Sequence, residues 1–345
     1  MFIYIIIMII RSIKLIFIYF IILFNNNNYE KNSDINISDI IFHHISDSHN
    51  LNFSKKKNIY IPLPIILWNN GLELFLSSNK KIFKGTNGYY RLFKENIYIT
   101  NKYGTLNFIN GSPSNKKPLD LSITKNVLYT FYSSILLILI FIYMKNKYNN
   151  KLKLNWKFGS LLEYIIIFIR DKIAIPYIGK NMYKKYLKFL LSLFFFILIN
   201  NLLGIIPGFP NITGNINTTF SLSLITFFIT ILNSKKYYWK HILWMPKAPI
   251  LVKLMLAPIE LISLFIRPLT LCIRLFSNIM AGHILILSFI CLIFIFKNIF
   301  VIGFSIFFGS FISLLEIMVS FLQSFIFTNL SALMIGMSIK KDYNN

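Results

Sequence analysis

LMLAPIELISLFIRPLTLCIRLFSNIMAGHILILSFICLIFIF, residues Leu254 to Phe296, runs for 43 residues with only Glu260, Arg267 and Arg274 charged. As one helix rising ~1.5 Å per residue it would extend about 64 Å. The hydrocarbon core of a bilayer is only ~30 Å thick. A single upright helix does not fit. Either the helix breaks, at Pro258 or Pro268, or it lies steeply tilted. The following stretch, Asn298 to Ile339, is 42 residues long, has Glu316 as its sole charge and poses the same problem. Two over-long apolar segments in succession predict a helical hairpin laid across a membrane.

Working back along the chain, Val127 to Met144 is uncharged and long enough to span. Phe189 to Ser234 carries no charge and is divided by the Gly/Pro/Asn loop Pro207 to Asn217, a turn signature. This gives spans from Phe189 to about Ile206 and from about Thr218 to Asn233. The fold class is therefore an all-α membrane protein with about five membrane segments, the last two forming a long tilted helical hairpin. Between the spans lie basic connectors, Lys145 to Lys188 and Lys235 to Lys253. The excess of Lys and Arg there places both connectors and the C-terminus in the cytoplasm, and the Pro207 loop outside.

The N-terminal part reads differently. Residues 1–24 are apolar apart from Arg11 and Lys14 and read as a signal or signal-anchor segment. Residues 25–126 hold 7 of the 12 acidic residues and alternate Asn/Lys-rich runs with short apolar ones, which predicts an extracytoplasmic extension of strands and loops. Residues 127–345 form the multi-span domain. His43, His44 and His49 sit near Asp47, but no Cys or second acid completes a metal site, and an exposed Ser/Asp/His loop is the expectation.

Composition agrees with a bilayer. The chain has 345 residues, 55% hydrophobic and 14% charged, with mean hydropathy +0.61. Soluble domains average about 25% charged residues. The formal charge of +24 would suggest nucleic acid in a soluble protein, but no RNA-reading or zinc-finger pattern is present. The lysines stand between apolar segments, where they meet anionic headgroups. Lys outnumbers Arg 31 to 5, so an Arg inside an apolar segment needs a reason. Cys272 and Cys291 read as small apolar fillers.

Ionisable groups at membrane depth cost several kcal/mol, with estimates from ~3 to ~17 for Arg. Glu260, Arg267 and Arg274 are seven apart and Asn278 follows by four, which makes one polar stripe on a helix. Glu316 and Gln323 are likewise seven apart. Snorkelling to an interface suits Glu260 and Arg267, which lie near the basic connector. It suits Arg274 badly.

The run Pro268-Leu-Thr-Leu-Cys-Ile-Arg-Leu-Phe-Ser-Asn-Ile-Met-Ala-Gly-His283 resembles the signature of the ATP synthase subunit a family. Asn200-Asn-Leu-Leu-Gly-Ile-Ile-Pro207 is similar to that family's second-span ending, and Leu315 to Thr328 to its last helix. The resemblance covers roughly Leu128 to Ile339. It implies a proton-conducting stator subunit in which Arg274 faces the carboxylate of a c-ring. It implies that Asn278, His283, Glu316 and Gln323 border an outer half-channel and that Glu260 lies near the cytoplasmic one. Many bacterial members carry an acid at the position of His283 and a His at that of Glu316; here the pair is exchanged, which keeps one acid and one imidazole. The partners implied are the c-ring, the subunit b stator stalk, the remaining F0F1 subunits, protons and the lipid bilayer, with no cofactor, metal or nucleic acid. The location implied is the bacterial plasma membrane, with the mitochondrial inner membrane as alternative. No H-E-x-x-H, G-x-S-x-G or P-loop occurs, so ATP chemistry is expected in other subunits. An unrelated ion-coupled secondary transporter is the rival reading, but no internal repeat is visible.

Overall fold

The computed structural model describes residues 47–54, 59–76, 82–93, 95–109, 112–149, 157–205, 210–244, 249–296 and 298–339. The predicted signal segment, His43, His44, Pro207 and Lys297 lie outside them. The chain divides into a compact unit over Ser38–Tyr132 and a helical unit containing Ser133–Asn345.

The first unit is built from ten short strands. Strands β1 (Asn50–Ser54) and β2 (Ile59–Pro62) pair with each other. β3 (Pro64–Trp68), β4 (Leu72–Leu76) and β10 (Leu119–Asp120) form a sheet in the order β10-β3-β4. β5 (Ile82–Lys84), β6 (Tyr89–Phe93) and β7 (Asn96–Thr100) form a second three-stranded sheet, and β8 (Phe108–Ile109) pairs with β9 (Ser112–Pro113). Ile65 and Leu67 of one sheet pack against Phe83, Tyr90 and Ile97 of the other, with Phe75 filling in. Successive strand residues point to opposite faces, so this packing fixes which side of each strand is inside. The β3–β4 hairpin turns through Asn70, whose φ of 52° is the left-handed conformation that asparagine tolerates.

Helix α1 (Lys125–Asn149) leaves this unit. Its start is fastened: Lys125 N donates to Ser48 O at 2.9 Å, and Asn126 N to Asp47 Oδ1 at 3.1 Å. Those are donors that a helix N-terminus leaves unsatisfied.

The helical unit continues with α2 (Lys157–Ile169), a π-helical turn (Arg170–Ala174), α3 (Ile175–Ile178), α4 (Tyr183–Ile205), α5 (Ile216–Leu232), α6 (Lys236–Leu243), α7 (Ile250–Phe296) and α8 (Ile299–Ile339). Among the described residues four helices are long and apolar enough to cross a membrane: Lys125–Asn146, Tyr183–Ile205, Leu254–Ile293 and Ile299–Ile339. The expected third span is the shorter apolar helix Ile216–Leu232, 17 residues or about 26 Å. The protein is a multi-pass membrane protein. Large apolar side chains such as Phe131, Ile135 and Leu139 on α1 are exposed, as lipid-facing residues must be.

The long segment does not break. Helix α7 is continuous for 47 residues through Pro258 and Pro268, about 70 Å of helix. Proline is tolerated in membrane helices where the freed backbone groups are satisfied locally or by neighbours. Of the two alternatives only tilt remains, the response of a helix longer than its bilayer. Helix α8 returns antiparallel to α7. Phe289 stacks on Phe308 near the turn, Gly282 meets Glu316, and Arg267 meets Met337 far from it. Leu193 and Ile197 of α4, Leu271, Leu275 and Ile279 of α7, and Phe327 and Met334 of α8 form one core cluster.

Close approach of these helices rests on small residues. Ser313, Ser320, Thr328 and Ser331 of α8 are buried and return their hydroxyl protons to carbonyls four residues earlier in the same helix. Thr219, Ser223, Thr226 and Thr230 are likewise buried on α5 and donate to carbonyls three or four residues earlier. Gly336 is a sharper case, since a Cβ there would run into the carbonyl oxygen of Tyr177 on α3. Small side chains bring membrane helices together where the hydrophobic effect between them is absent.

Candidate functional site

Helix α7 turns its buried face, Leu264, Leu271, Leu275 and Ile279, toward its neighbours. Arg274 and Asn278 are four apart and lie on the opposite, exposed face. Their neighbours on that face include Thr270, Ile273, Ser277 and Ala281. Among the described residues no hydrogen bond or ion pair holds the Arg274 guanidinium. Its neighbours on that face, Thr270, Ser277 and Asn278 among them, are all uncharged.

The predicted stripe is thus divided. Glu260 Oε1 accepts from Arg267 Nη2 at 3.3 Å, both side chains about one third exposed, and Arg267 Nη1 also lies 3.9 Å from Met337 Sδ. One turn-pair compensates its own charge while Arg274, a further seven residues along, does not. Arg267 is therefore a partner of a predicted site residue, a role that its spacing alone had left to snorkelling.

On α8 both predicted polar residues face inward. Glu316 is 5% exposed and Gln323 4%. Glu316 packs where α7 has no side chain: a Cβ at Gly282 would stand 3.3 Å from Glu316 Cδ and Oε1. Its Oε2 has no hydrogen-bond partner among the described residues. His283, next in sequence to Gly282, is half-buried. The fold thus brings Glu316 to the turn of α7 that carries His283, with Gln323 two turns further along the same α8 face.

One cluster escaped the sequence reading as a site. Asn200 and Asn201, near the end of α4, are 0% and 1% exposed, and Asn200 Oδ1 and both amide atoms of Asn201 lack partners among the described residues. Asn211 beyond them packs on Gly204 and Gly214, and a Cβ at Gly214 would also lie 3.1 Å from Met280 Sδ on α7. These amides border the stretch of α7 between Asn278 and His283. Two adjacent asparagines inside an otherwise apolar span were the available signal, but Asn is so common in this chain that they did not stand out.

The predicted histidine loop needs correction at His49. It is buried, with Nε2 3.0 Å from Asp120 Oδ2, and so is a structural partner of that carboxylate rather than part of an exposed loop. Burial pushes the Asp120 carboxyl up, but the hydrogen bonds from His49 and Ser122 outweigh it and hold the group below its ordinary value.

Residues 127–336 match the family model described as ATP synthase A chain, and residues 40–121 match one described as a domain of unknown function. The chain is 45% identical over 234 residues to "ATP synthase subunit a" of Chlorobium phaeobacteroides (strain BS1), covering 63% of this chain and 66% of the relative. It is 39% identical over 227 residues to the protein of that name from Chloroherpeton thalassium, covering 64% and 67%. With the Myxococcus xanthus protein of that name it shares 38% identity over 239 residues, covering 66% and 76%. The matched part thus spans about two thirds to three quarters of these relatives' lengths.

Proposed function

We propose that this chain, which belongs to the ATP synthase A chain family, is the proton-conducting stator of the synthase's membrane sector and performs no ATP chemistry itself. The observation that carries this reading is Arg274. A guanidinium stays charged at any working pH. One exposed on a face of a long membrane helix that offers it only neutral neighbours, with no partner among the described residues, is costly in lipid. On this reading its compensating anion comes from outside the described residues.

A carboxylate on a neighbouring ring of c subunits meets that need. In lipid the carboxyl must travel protonated, since the bare ion is too costly there. Beside Arg274 the positive field favours the ionised form, so the proton leaves. The arginine also keeps protons from passing straight between the two sides. Glu260 lies 14 residues before Arg274 and His283 nine residues after it, which is about 21 Å and about 14 Å along α7 in opposite directions. Two half-channels separated in this way oblige the proton to ride the ring between them.

Glu316 and His283, with Asn278 and Gln323, form the outer path, and an acid and an imidazole at one place can share protons near neutrality. Glu260, in contact with Arg267 at 3.3 Å, serves the cytoplasmic path. The partners on this reading are the c-ring, the subunit b stalk and the remaining subunits of the synthase, in the plasma membrane of a bacterium, as the relatives' organisms are bacteria.

Arg274→Lys tests it. Lysine is a compact donor that loses its proton readily when desolvated. ATP-driven quinacrine quenching in inverted vesicles should vanish while the complex still assembles. Near-normal quenching would refute the role given to Arg274.

A further inference from the structure

The β10-β3-β4 sheet is inside out by the standard of a sheet exposed to water. Its inner residues are Ile65, Leu67 and Phe75, as expected, but β4 also turns Glu73 inward. That carboxylate is 4% exposed; Oε1 accepts from Asn87 N at 2.7 Å and from Thr86 Oγ1 at 3.2 Å. Gly85 makes room for it, since a Cβ there would run into Glu73 Oε2. The alternate residues of β4, Leu72, Leu74 and Leu76, point outward and are 57%, 66% and 69% exposed. Across the strands, Leu72 pairs with exposed Trp68, which pairs with exposed Leu119. A one-residue slip of β4 would bury the leucines and expose the glutamate. The fold does the reverse, and no charged side chain lies on this outer face of β3 and β4.

The second sheet makes the contrast. Its outward positions include Lys84, Asn96 and Arg91, the last donating to Gly104 O. That outer face is mixed, since Ile82 is exposed there too, whereas the β3–β4 face is apolar throughout, and contiguous exposed apolar patches mark a contact surface.

What covers that face follows from where the chain goes next. Leu121 N donates to Ile66 O at 2.9 Å and Ile123 N to Pro64 O at 3.2 Å. The strand after β10 thus runs along β3 to its Pro64 end, where Leu76 is also paired. It then enters α1 at Lys125, whose start is pinned to Asp47 and Ser48. The membrane span begins at that same Lys125. Leu121 is four residues from it, at most about 14 Å. The polar headgroup layer is about 5–8 Å deep on each side of the hydrocarbon. Tryptophan is a residue of that layer, and exposed Lys116 and Lys117 precede Leu119 closely enough to meet anionic headgroups.

We propose that the outer face of the β10-β3-β4 sheet lies on the lipid surface beside α1, with Trp68, Leu74, Leu76 and Leu121 seated among the headgroups and upper acyl chains. The extension is then a membrane-apposed plate at the entry of the first described span. This does not depend on the proton-conducting role proposed above.

The test uses the full chain, in its assembled complex, in vesicles of phosphatidylethanolamine and phosphatidylglycerol. Single cysteines replace Leu74 and Leu121, and Tyr103, an exposed residue of the loop after β7, serves as the aqueous reference. Each carries a nitrobenzoxadiazole label, and signal from Cys272 and Cys291 is subtracted with the unsubstituted chain. Labels at 74 and 121 should emit at shorter wavelength and lose most of their emission to lipids spin-labelled near the headgroup; the label at 103 should do neither. A water-like spectrum at 74 and 121 overturns the proposal. So does a blue-shifted spectrum that spin-labelled lipid fails to quench, which would mean that another protein subunit covers the face. Quenching of native tryptophan by brominated lipid, compared between the unaltered chain and Trp68→Phe, reads the same face without any added cysteine. It should fall in the variant, and an unchanged value would equally overturn the proposal.

Discussion

Gly282→Ala tests whether Glu316 is held in place by the absence of a side chain on α7. A Cβ at this position would stand 3.3 Å from Glu316 Cδ and Oε1 and 3.4 Å from Cγ. Unstrained contacts between such atoms fall at about 3.5–4.0 Å, so the carboxyl must retreat by roughly 0.2–0.7 Å. Stability falls by the difference of two opposing effects, about 0–2.5 kcal/mol, which is why rates are normalised to assembled complex. Overpacking costs about 1–3 kcal/mol, and replacing a mid-helix glycine by alanine returns about 0.5–1 kcal/mol. Proton transfer is less forgiving, since a misplacement of about 1 Å can cost about 100-fold in rate. Scaled log-linearly, the retreat predicts a loss of about 3-fold to about 25-fold. Gly282→Val should lose more. The assay is ATP-driven quinacrine quenching in inverted vesicles, normalised to the amount of assembled complex. Gly303→Ala is the control, since nothing lies within 4 Å of the Cβ it would add. Wild-type rates in both the Ala and Val variants would show that the carboxyl's position at this contact does not matter, and the reasoning would fall.

Three further outcomes are expected. Glu316→Gln should slow pumping with less effect on assembly. Exchanging the pair, His283→Glu with Glu316→His, should recover part of the loss of either single change in a double-mutant cycle; strictly additive losses would separate the two residues. Cysteines placed at Asn217, in the first turn of α5, and at Lys236, at the start of α6, should label from opposite sides of the membrane, because the basic connector belongs in the cytoplasm. In the β unit, the folded Asp120 carboxyl titrates below its unfolded value of about 3.9. Its contribution to stability is therefore complete above that value and lost as the pH falls through the folded pKa. The exchange protection of the Ile66 amide, whose hydrogen Ser122 Oγ accepts at 3.0 Å, should fall with acid relative to the intrinsic rate in the unaltered chain and show a flatter acid limb in Asp120→Asn.

The spans and the hairpin were legible because lipid demands long uncharged runs, and Asn298 to Ile339 can hardly be read otherwise. Arg274 was legible for the opposite reason, as a charge where charge is expensive. The continuity of α7 was not. Proline breaks helices in water but not reliably among packed membrane helices, and sequence alone does not say which neighbours are present. Helices α2 and α6 lay hidden inside what read as basic connectors, since neither is long enough to declare itself as a span. The faces of the β strands were unreadable for a physical reason. In β4 the usual assignment of leucine to the inside and glutamate to the outside gives the wrong answer. The Asn200 and Asn201 amides were visible as letters, but only folding shows that both are buried.

The paired bonds from Lys125 to Ser48 and from Asn126 to Asp47 close the β unit at its neck. The chain goes in and comes out at the same place. An insertion in the intervening residues that keeps Asp47 and Ser48 in place is expected to leave the start of α1 where it is. Sites whose ends already meet are those at which chains accept foreign inserts. The extension is accordingly a detachable module, and a reporter or affinity tag grafted between Ser48 and Thr124 would reach the surface without disturbing the register of the helices that follow.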